Sequence, residues 1–133
     1  MTYEEARAFI DDTARYGAVL GLDSVTELMR RLGNPQDELK FVHIAGTNGK
    51  GSTLAYISTI LKEAGYRVGR YISPTIFDYR ERIQVNEKYI TREGVARLAG
   101  QVREACEQMV QDGFSHPTTF EVETAMAFLW FRK

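Results

Sequence analysis

The residues best suited to binding or catalysis lie at 41–53, where an apolar run leads into a loop that holds three glycines and a lysine. The loop, 46–52, reads Gly-Thr-Asn-Gly-Lys-Gly-Ser, and a helical pattern begins at once after it. Unpaired backbone N–H groups at a helix start, together with the helix dipole, attract anions. A lysine adds a full positive charge, and a nearby hydroxyl can reach a phosphate-bound Mg²⁺. The pattern therefore predicts a site for a nucleoside triphosphate.

The spacing of this loop differs from the common phosphate-binding motif. That motif places four residues between its first glycine and Gly-Lys-Ser/Thr. Here only two residues separate Gly46 from Gly49, and Gly51 stands between Lys50 and Ser52. The plain alternative is a glycine-rich strand-to-helix turn with its lysine in solvent. So many glycines beside a lysine are hard to explain by turn geometry alone, and we favour the phosphate site.

The elements around the loop predict an α/β fold of the P-loop type. The apolar run from Lys40 to Ala45 does not alternate, which is typical of a strand buried on both faces of a parallel sheet. We expect a helix from Lys50 to Ala64 and a second strand from Tyr66 to Ile72. This βαβ unit would place the loop at the strand's C-terminal edge, where open sheets bind ligands. The predicted architecture has three layers, a partial parallel sheet flanked by helices, plus a small hairpin.

Capping signals and hydrophobic periodicity predict the remaining elements. The hairpin would pair 81–85 with 88–90 across Asn86-Glu87. We expect a first helix from Tyr3 to Arg15, after a Thr2/Glu5 capping box, and a short second helix that a Ser24/Glu27 box opens. A long helix should run from Arg92 to Asp112, capped by Thr91. The last helix should run from Thr119 to Arg132, after a Thr118/Glu121 box. Gly33-Asn34-Pro35 should end the second helix.

Composition excludes several classes of protein. The 133 residues carry a formal net charge of −1 without a basic block, so neither nucleic acid nor a membrane surface is an expected partner. A single cysteine, Cys106, rules out an intramolecular disulfide and suits a reducing compartment. We see no signal peptide and no apolar run long enough to cross a bilayer. These features predict a soluble cytoplasmic protein.

The variant loop resembles that of the Mur-ligase superfamily, in which Gly-Thr-x-Gly-Lys replaces the usual form. The glycine after the lysine is similar to the folylpolyglutamate synthase/dihydrofolate synthase branch. Other segments follow in the family's order: Leu32–Gln36, Val42–Ile44, Gly65–Gly69, Tyr71–Pro74, Glu81–Ile83 and Thr119–Glu121. Several motifs in series over most of the chain make the resemblance specific.

The resemblance implies an activity and a set of site residues. Enzymes of this family use ATP to phosphorylate a folate or dihydropteroate carboxylate, and the amine of glutamate then attacks the acyl phosphate. Lys50 would be catalytic, countering charge on the transferred phosphoryl group. Ser73 and Glu121 match family positions that bind Mg²⁺, for which hydroxyl and carboxylate oxygens are suitable ligands. The triphosphate would be held by Gly46, Thr47, Asn48, Gly49, Lys50, Gly51 and Ser52.

Some of these residues have a structural alternative. Glu121 has the spacing of a capping residue for Thr118, Ser73 could simply end a strand, and Ser52 is a second candidate Mg²⁺ ligand. His43 is expected in the core, His116 in a loop, and Cys106 as an inert buried thiol. Thr75 and Arg80 stand where many relatives have histidine and asparagine, which leaves the substrate preference open between folate and dihydropteroate.

Family members also continue into the rest of the ATPase domain and a second domain. We therefore expect residues 1–133 to form the N-terminal portion of the ATP-binding domain, with no second domain, and to be inactive as a ligase alone. The alternatives are a nucleotide-binding fragment without its own activity, or another Mur-type amide ligase. The last helix is apolar nearly all round, and we expect its surface to promote self-association.

Overall fold

The computed structural model describes residues 1–17, 21–45, 49–73, 75 and 77–132, with Lys50 described by its backbone only. The chain divides into two compact units. The first, here called the helical unit, comprises Met1–Leu39 and Thr91–Lys133. The second, the loop-bearing unit, is Lys40–Ile90 and contains the glycine-rich stretch. The helices are α1 (Tyr3–Asp12), α2 (Asp23–Arg31), α3 (Lys50–Glu63), α4 (Arg92–Gln111) and α5 (Thr119–Arg132).

Helices α1 and α4 of the helical unit begin with threonine caps, as the sequence predicts. At α1 the Glu5 backbone N–H donates to Thr2 Oγ1 at 3.0 Å, and the Thr2 N–H donates to Glu5 Oε1 at 2.9 Å. At α4 the Gly94 N–H donates to Thr91 Oγ1 at 2.9 Å. These bonds satisfy donors that a helix start leaves unpaired. The end of α1 continues as a short 3₁₀ turn, Thr13–Tyr16.

The capping box predicted at Ser24 and Glu27 is wrong. Helix α2 begins two residues earlier than that box requires, at Asp23, and its N-cap is Leu22, whose side chain makes no capping bond. Glu27 instead accepts hydrogen bonds from the guanidinium groups of Arg30 and Arg31. Bonds between two charged groups are stronger than a bond to a neutral backbone N–H, which explains why the carboxylate turns towards the arginines.

The core of the helical unit follows the predicted helix periodicity. Helix α1 packs on α4, and α4 packs on α5. The large side chains buried here with less than 2% exposure include Ile10, Leu28, Val95, Val102, Met109, Val122 and Met126. Chain reversal after α2 uses Gly33 and Asn34 at positive φ, 87° and 51°, before the 3₁₀ turn Pro35–Glu38, so the predicted helix stop is confirmed.

The loop-bearing unit contains α3 and a three-stranded antiparallel sheet. The strands are β1 (Gly69–Tyr71), β2 (Ile83–Val85) and β3 (Lys88–Tyr89), in the order β1-β2-β3. Between β2 and β3, Asn86 and Glu87 adopt φ values of 48° and 69°. Two positive φ values in a two-residue loop are the geometry that matches the twist of paired strands. The predicted hairpin is therefore confirmed.

The predicted strand at Lys40–Ala45 is not present. These residues have no regular secondary structure, and the side chains of Phe41 and Val42 are 56% and 63% exposed. In the following predicted strand only β1 forms, and it pairs antiparallel with β2. An apolar run shows a tendency to be buried but does not specify the neighbour that supplies the hydrogen bonds. Among the described residues the sheet is thus antiparallel rather than parallel.

Within the described part of the chain, no helix has the length and apolar character needed to cross a membrane.

Candidate functional site

The start of α3 is the point where the predicted phosphate loop meets regular structure. Gly49 is the N-cap residue and has a φ of 72°, in the left-handed region. A side chain there would be strained by the backbone conformation itself, although its Cβ would meet no atom within 4 Å. The sequence needs a glycine at this position because the chain turns through this conformation directly into the helix.

Among the described residues, the first turn of α3 carries no side-chain cap. The N-cap residue Gly49 provides no side-chain cap, and the first turn of the helix contains no acidic residue. Gly51 and Ser52 are exposed. A helix start of this kind presents N–H groups and partial positive charge to solvent, which suits a phosphate. Lys50 is the first residue of this helix.

Part of the predicted loop lies outside the described residues, namely Gly46, Thr47 and Asn48. Their roles in holding a triphosphate therefore stay predictions, as does the role of the Lys50 side chain. The described portion, from Gly49 to Ser52, has the expected turn followed by the expected helix.

The two predicted magnesium ligands lie in different units. Ser73 is exposed and follows β1 in the loop-bearing unit. Glu121 belongs to the helical unit, in the first turn of α5, and its residue is only 8% exposed. Its Oε1 accepts hydrogen bonds from the Thr118 N–H at 3.0 Å and from Thr118 Oγ1 at 3.2 Å. The capping box predicted as the alternative role of Glu121 is therefore present.

The donor chemistry fits a magnesium ion bound largely by non-protein oxygens. In the ranges that the structure describes, no group of three or more histidine, cysteine, aspartate or glutamate side chains is placed to hold a metal. Mg²⁺ commonly takes one or two protein oxygens and completes its shell with phosphate oxygens and waters. The hydroxyl of Ser73 and the carboxylate of Glu121 are each suitable oxygen donors of this kind, and their role as magnesium ligands stays a prediction.

The remaining candidates are two histidines and one cysteine, and their surroundings do not indicate a catalytic role. His43 is exposed and lies in irregular chain, so the prediction that it is a core residue is wrong. The ring of His116 stacks on Tyr16 with centroids 4.1 Å apart. Burial raises the pKa of the Cys106 thiol to about 12, with the charges of Glu107 and Glu121 adding to the effect. Cys106 is therefore a neutral buried thiol.

Sequence reasoning missed a capping box in the loop before β2. The carboxylate of Glu81 accepts from the backbone N–H of the N-cap Asp78 at 2.5 Å, and Asp78 accepts from the N–H of Arg80 at 2.9 Å. Arg82 donates to Thr75 Oγ1 at 3.0 Å and so ties the beginning of this loop to its end. The spacing of Asp78 and Glu81 was a detectable signal, because it is that of a capping box.

Comparison with known proteins identifies the family. A dihydrofolate synthase/folylpolyglutamate synthase of Bacillus subtilis is 43% identical over 129 residues, which are 97% of this chain and 30% of that protein. The apo form of L. casei folylpolyglutamate synthase matches with a TM-score of 0.90 and 35% identity, covering 99% of this chain and 32% of that one. The chain belongs to the folylpolyglutamate synthase/dihydrofolate synthase family. No family model matches the chain.

A folylpolyglutamate synthase complex with AMPPCP and folate is also similar, with a TM-score of 0.86 and 35% identity over 99% of this chain and 32% of that one. The chain thus spans about a third of the length of the folylpolyglutamate synthases it matches. The similarity confirms the predicted fold class as a part of the synthase fold, with helices and a small sheet, although the described sheet is antiparallel and not parallel as predicted.

Proposed function

We propose that this chain supplies the triphosphate-binding part of an ATP-dependent ligase that joins glutamate to a folate or dihydropteroate carboxylate. The observation that carries the proposal is the uncapped start of α3 behind Gly49, in a chain that belongs to the synthase family. The similar synthase complex with AMPPCP and folate supports the choice of ligands.

In this proposal each described residue has a limited task. The N–H groups in the first turn of α3 bind phosphate oxygens, and the exposed hydroxyl of Ser52 lies in the same turn. Lys50 offsets negative charge as the terminal phosphoryl group is transferred. Ser73 and Glu121 each offer an oxygen to Mg²⁺, which neutralises charge on the phosphates when bound.

The phosphate-loop role is tested by titrating the chain with ATP and Mg²⁺ and comparing Lys50→Ala with Lys62→Ala. Both lysines belong to α3, but Lys62 lies in the last turn and pairs with Glu87 at 3.4 Å. Loss of a charged hydrogen bond costs about 1.5–3 kcal/mol, so we expect Lys50→Ala to bind ATP about tenfold or more weakly. Lys62→Ala should bind like the wild type. Equal affinity in all three folded proteins would remove the phosphate-loop assignment.

The ligase activity itself is a separate question. We expect the chain, incubated with ATP, Mg²⁺, glutamate and a reduced folate, to give no amide product, because it spans only 30% of the Bacillus subtilis relative. Chromatographic detection of a glutamylated product would overturn this expectation. ATP binding without turnover is the expected result, and it agrees equally with the alternative of a nucleotide-binding fragment that has no activity of its own.

A further inference from the structure

The carboxylate of Glu121 is engaged on one side only. Two donors of the same residue, the N–H and the Oγ1 of Thr118, meet at Oε1, at 3.0 and 3.2 Å. The Glu121 N–H donates back to Thr118 Oγ1 at 3.3 Å, so the two side chains fix each other. In the described ranges, no residue donates a hydrogen bond to Oε2 and no cationic side chain forms an ion pair with Glu121. One carboxylate oxygen is thus held by the chain and the other is not.

A capping box of the same type in α1 shows how the burial of the Thr118/Glu121 pair differs. There the Thr2 N–H also donates to a glutamate, Glu5, but that residue is exposed and its charge is solvated. Thr118 and Glu121 are only 4% and 8% exposed. Oε2 of Glu121 is not among the buried side-chain oxygens of the described residues that lack a partner, so it keeps access to solvent although the residue is largely buried. A cation can therefore reach Oε2 while Oε1 is held by Thr118.

The turn that carries Thr118 is anchored from outside α5. Thr13 is 1% exposed, and its hydroxyl donates its hydrogen to the Ile10 carbonyl oxygen. The 2.8 Å contact between the hydroxyls of Thr13 and Thr119 must therefore have Thr119 as its donor. This bond joins the residue after Thr118 to the end of α1. The start of α5 is held in place before any ligand binds.

We propose that Thr118 is a positioning residue that holds Oε1 of Glu121 and thereby presents Oε2 to a divalent cation. The inference rests on the proposed function, because it takes the Glu121 carboxylate as the magnesium ligand. Partners of this kind, which orient a ligating group, typically change metal affinity by about 10- to 100-fold when removed.

The experiment measures Mn²⁺ binding to the whole chain in the presence of AMPPCP, from the EPR signal of free Mn²⁺. We expect Thr118→Val to weaken Mn²⁺ binding about tenfold, and Thr118→Ser, which keeps the hydroxyl, to restore it. The matched control is Thr91→Val, which removes the threonine cap of α4, where no carboxylate is held. This control should lower the thermal midpoint without changing Mn²⁺ affinity.

A folding defect is separated from a positioning defect by Thr118→Asn, which keeps an acceptor for the Glu121 N–H but displaces the side-chain donor to Oε1, while the backbone N–H of residue 118 remains. We expect it to remain folded by circular dichroism and to lose Mn²⁺ affinity as the valine variant does. If folded Thr118→Val and Thr118→Asn both bind Mn²⁺ like the wild type, the positioning role is overturned.

Glu121→Gln distinguishes this failure from failure of the proposed function. Weakened Mn²⁺ binding in Glu121→Gln, with unchanged binding in both Thr118 variants, removes the positioning role and leaves the magnesium assignment intact. Wild-type binding in Glu121→Gln removes the magnesium assignment and the positioning role with it.

Discussion

The two units differ sharply in how much apolar surface they bury. Of the 19 buried hydrophobic side chains among the described residues, only Ile83 and Ile90 belong to the loop-bearing unit. On the same unit Tyr56, Ile60 and Tyr66 are 72%, 67% and 65% exposed. Because apolar burial is the main favourable term in folding, the helical unit supplies most of the stability of this chain. The glycine-rich stretch lies in the unit with the smaller core.

The helix starts differ in the same direction, except that α2 of the helical unit begins at Leu22 without a capping bond. In the helical unit, α1 and α4 begin with threonine side chains that accept backbone hydrogen bonds. Helix α3, in the loop-bearing unit, begins at Gly49 without a side-chain cap. A capped start is satisfied within the chain, whereas an uncapped start has donors available for an anion. The comparison therefore separates residues that stabilise the chain from residues available for a ligand.

The largest expected effect comes from replacing one isoleucine in each unit by alanine. Ile10 in α1 is 1% exposed, and Ile60 in α3 is 67% exposed. We expect Ile10→Ala to lower the free energy of unfolding by about 2–5 kcal/mol because it leaves a cavity. Ile60→Ala should change it by about 0.5 kcal/mol or less. Urea denaturation measures both, and equal losses would contradict the contrast.

A smaller effect is expected at the helix starts. Thr2→Ala removes the cap of α1 and should cost about 1 kcal/mol of stability. Thr53→Ala is the matched change near the start of α3, where Thr53 is exposed and the N-cap Gly49 makes no side-chain capping bond. This substitution should cost about 0.5 kcal/mol of stability or less. Thermal unfolding of the two variants compares them. A larger loss for Thr53→Ala would show that α3 depends on a contact of that side chain.

The smallest effect concerns acid stability in the helical unit. Hydrogen bonds from Arg30 and Arg31 lower the pKa of Glu27 to about 2 from its ordinary value of 4.5. A carboxyl group whose pKa is lower in the folded chain stabilises it above the ordinary value, and that stabilisation is lost as the pH falls towards the lowered one. We expect Glu27→Gln to lose less stability than the wild type between pH 4.5 and about 2. Thermal midpoints of both proteins are measured across this pH range. Equal losses of stability would show that Glu27 does not contribute to the acid dependence.

Local signals made most of the helical unit predictable. The caps at Thr2 and Thr91, the stop at Gly33 and the bounds of α4 and α5 each depend on residues a few positions apart. The hairpin turn was equally local, since Asn86 accepts positive φ readily. The predicted strand at Lys40–Ala45 was wrong because strand pairing is set by distant residues, which a single apolar run does not identify.

The candidate site was predictable to a similar degree. The glycine and lysine spacing predicted the turn and the helix that begins at Lys50, and the Thr118/Glu121 spacing predicted a capping box. The sequence could not show that both Thr118 donors meet at one oxygen of Glu121, because this depends on the side-chain rotamers. Nor could it show that His43 is exposed, since that follows from the missing strand.

The helical unit is assembled from two stretches of chain that are far apart in sequence, and this affects how it can fold. Helix α1 packs mainly on α4, and roughly 80 residues separate the two helices. Closing a flexible loop of that length costs about 4 kcal/mol of chain entropy, before a constant term, by the logarithmic length dependence. Contacts this distant slow the search for the native state. During synthesis on the ribosome, α1 must therefore wait for α4 to emerge before it can acquire its main packing partner.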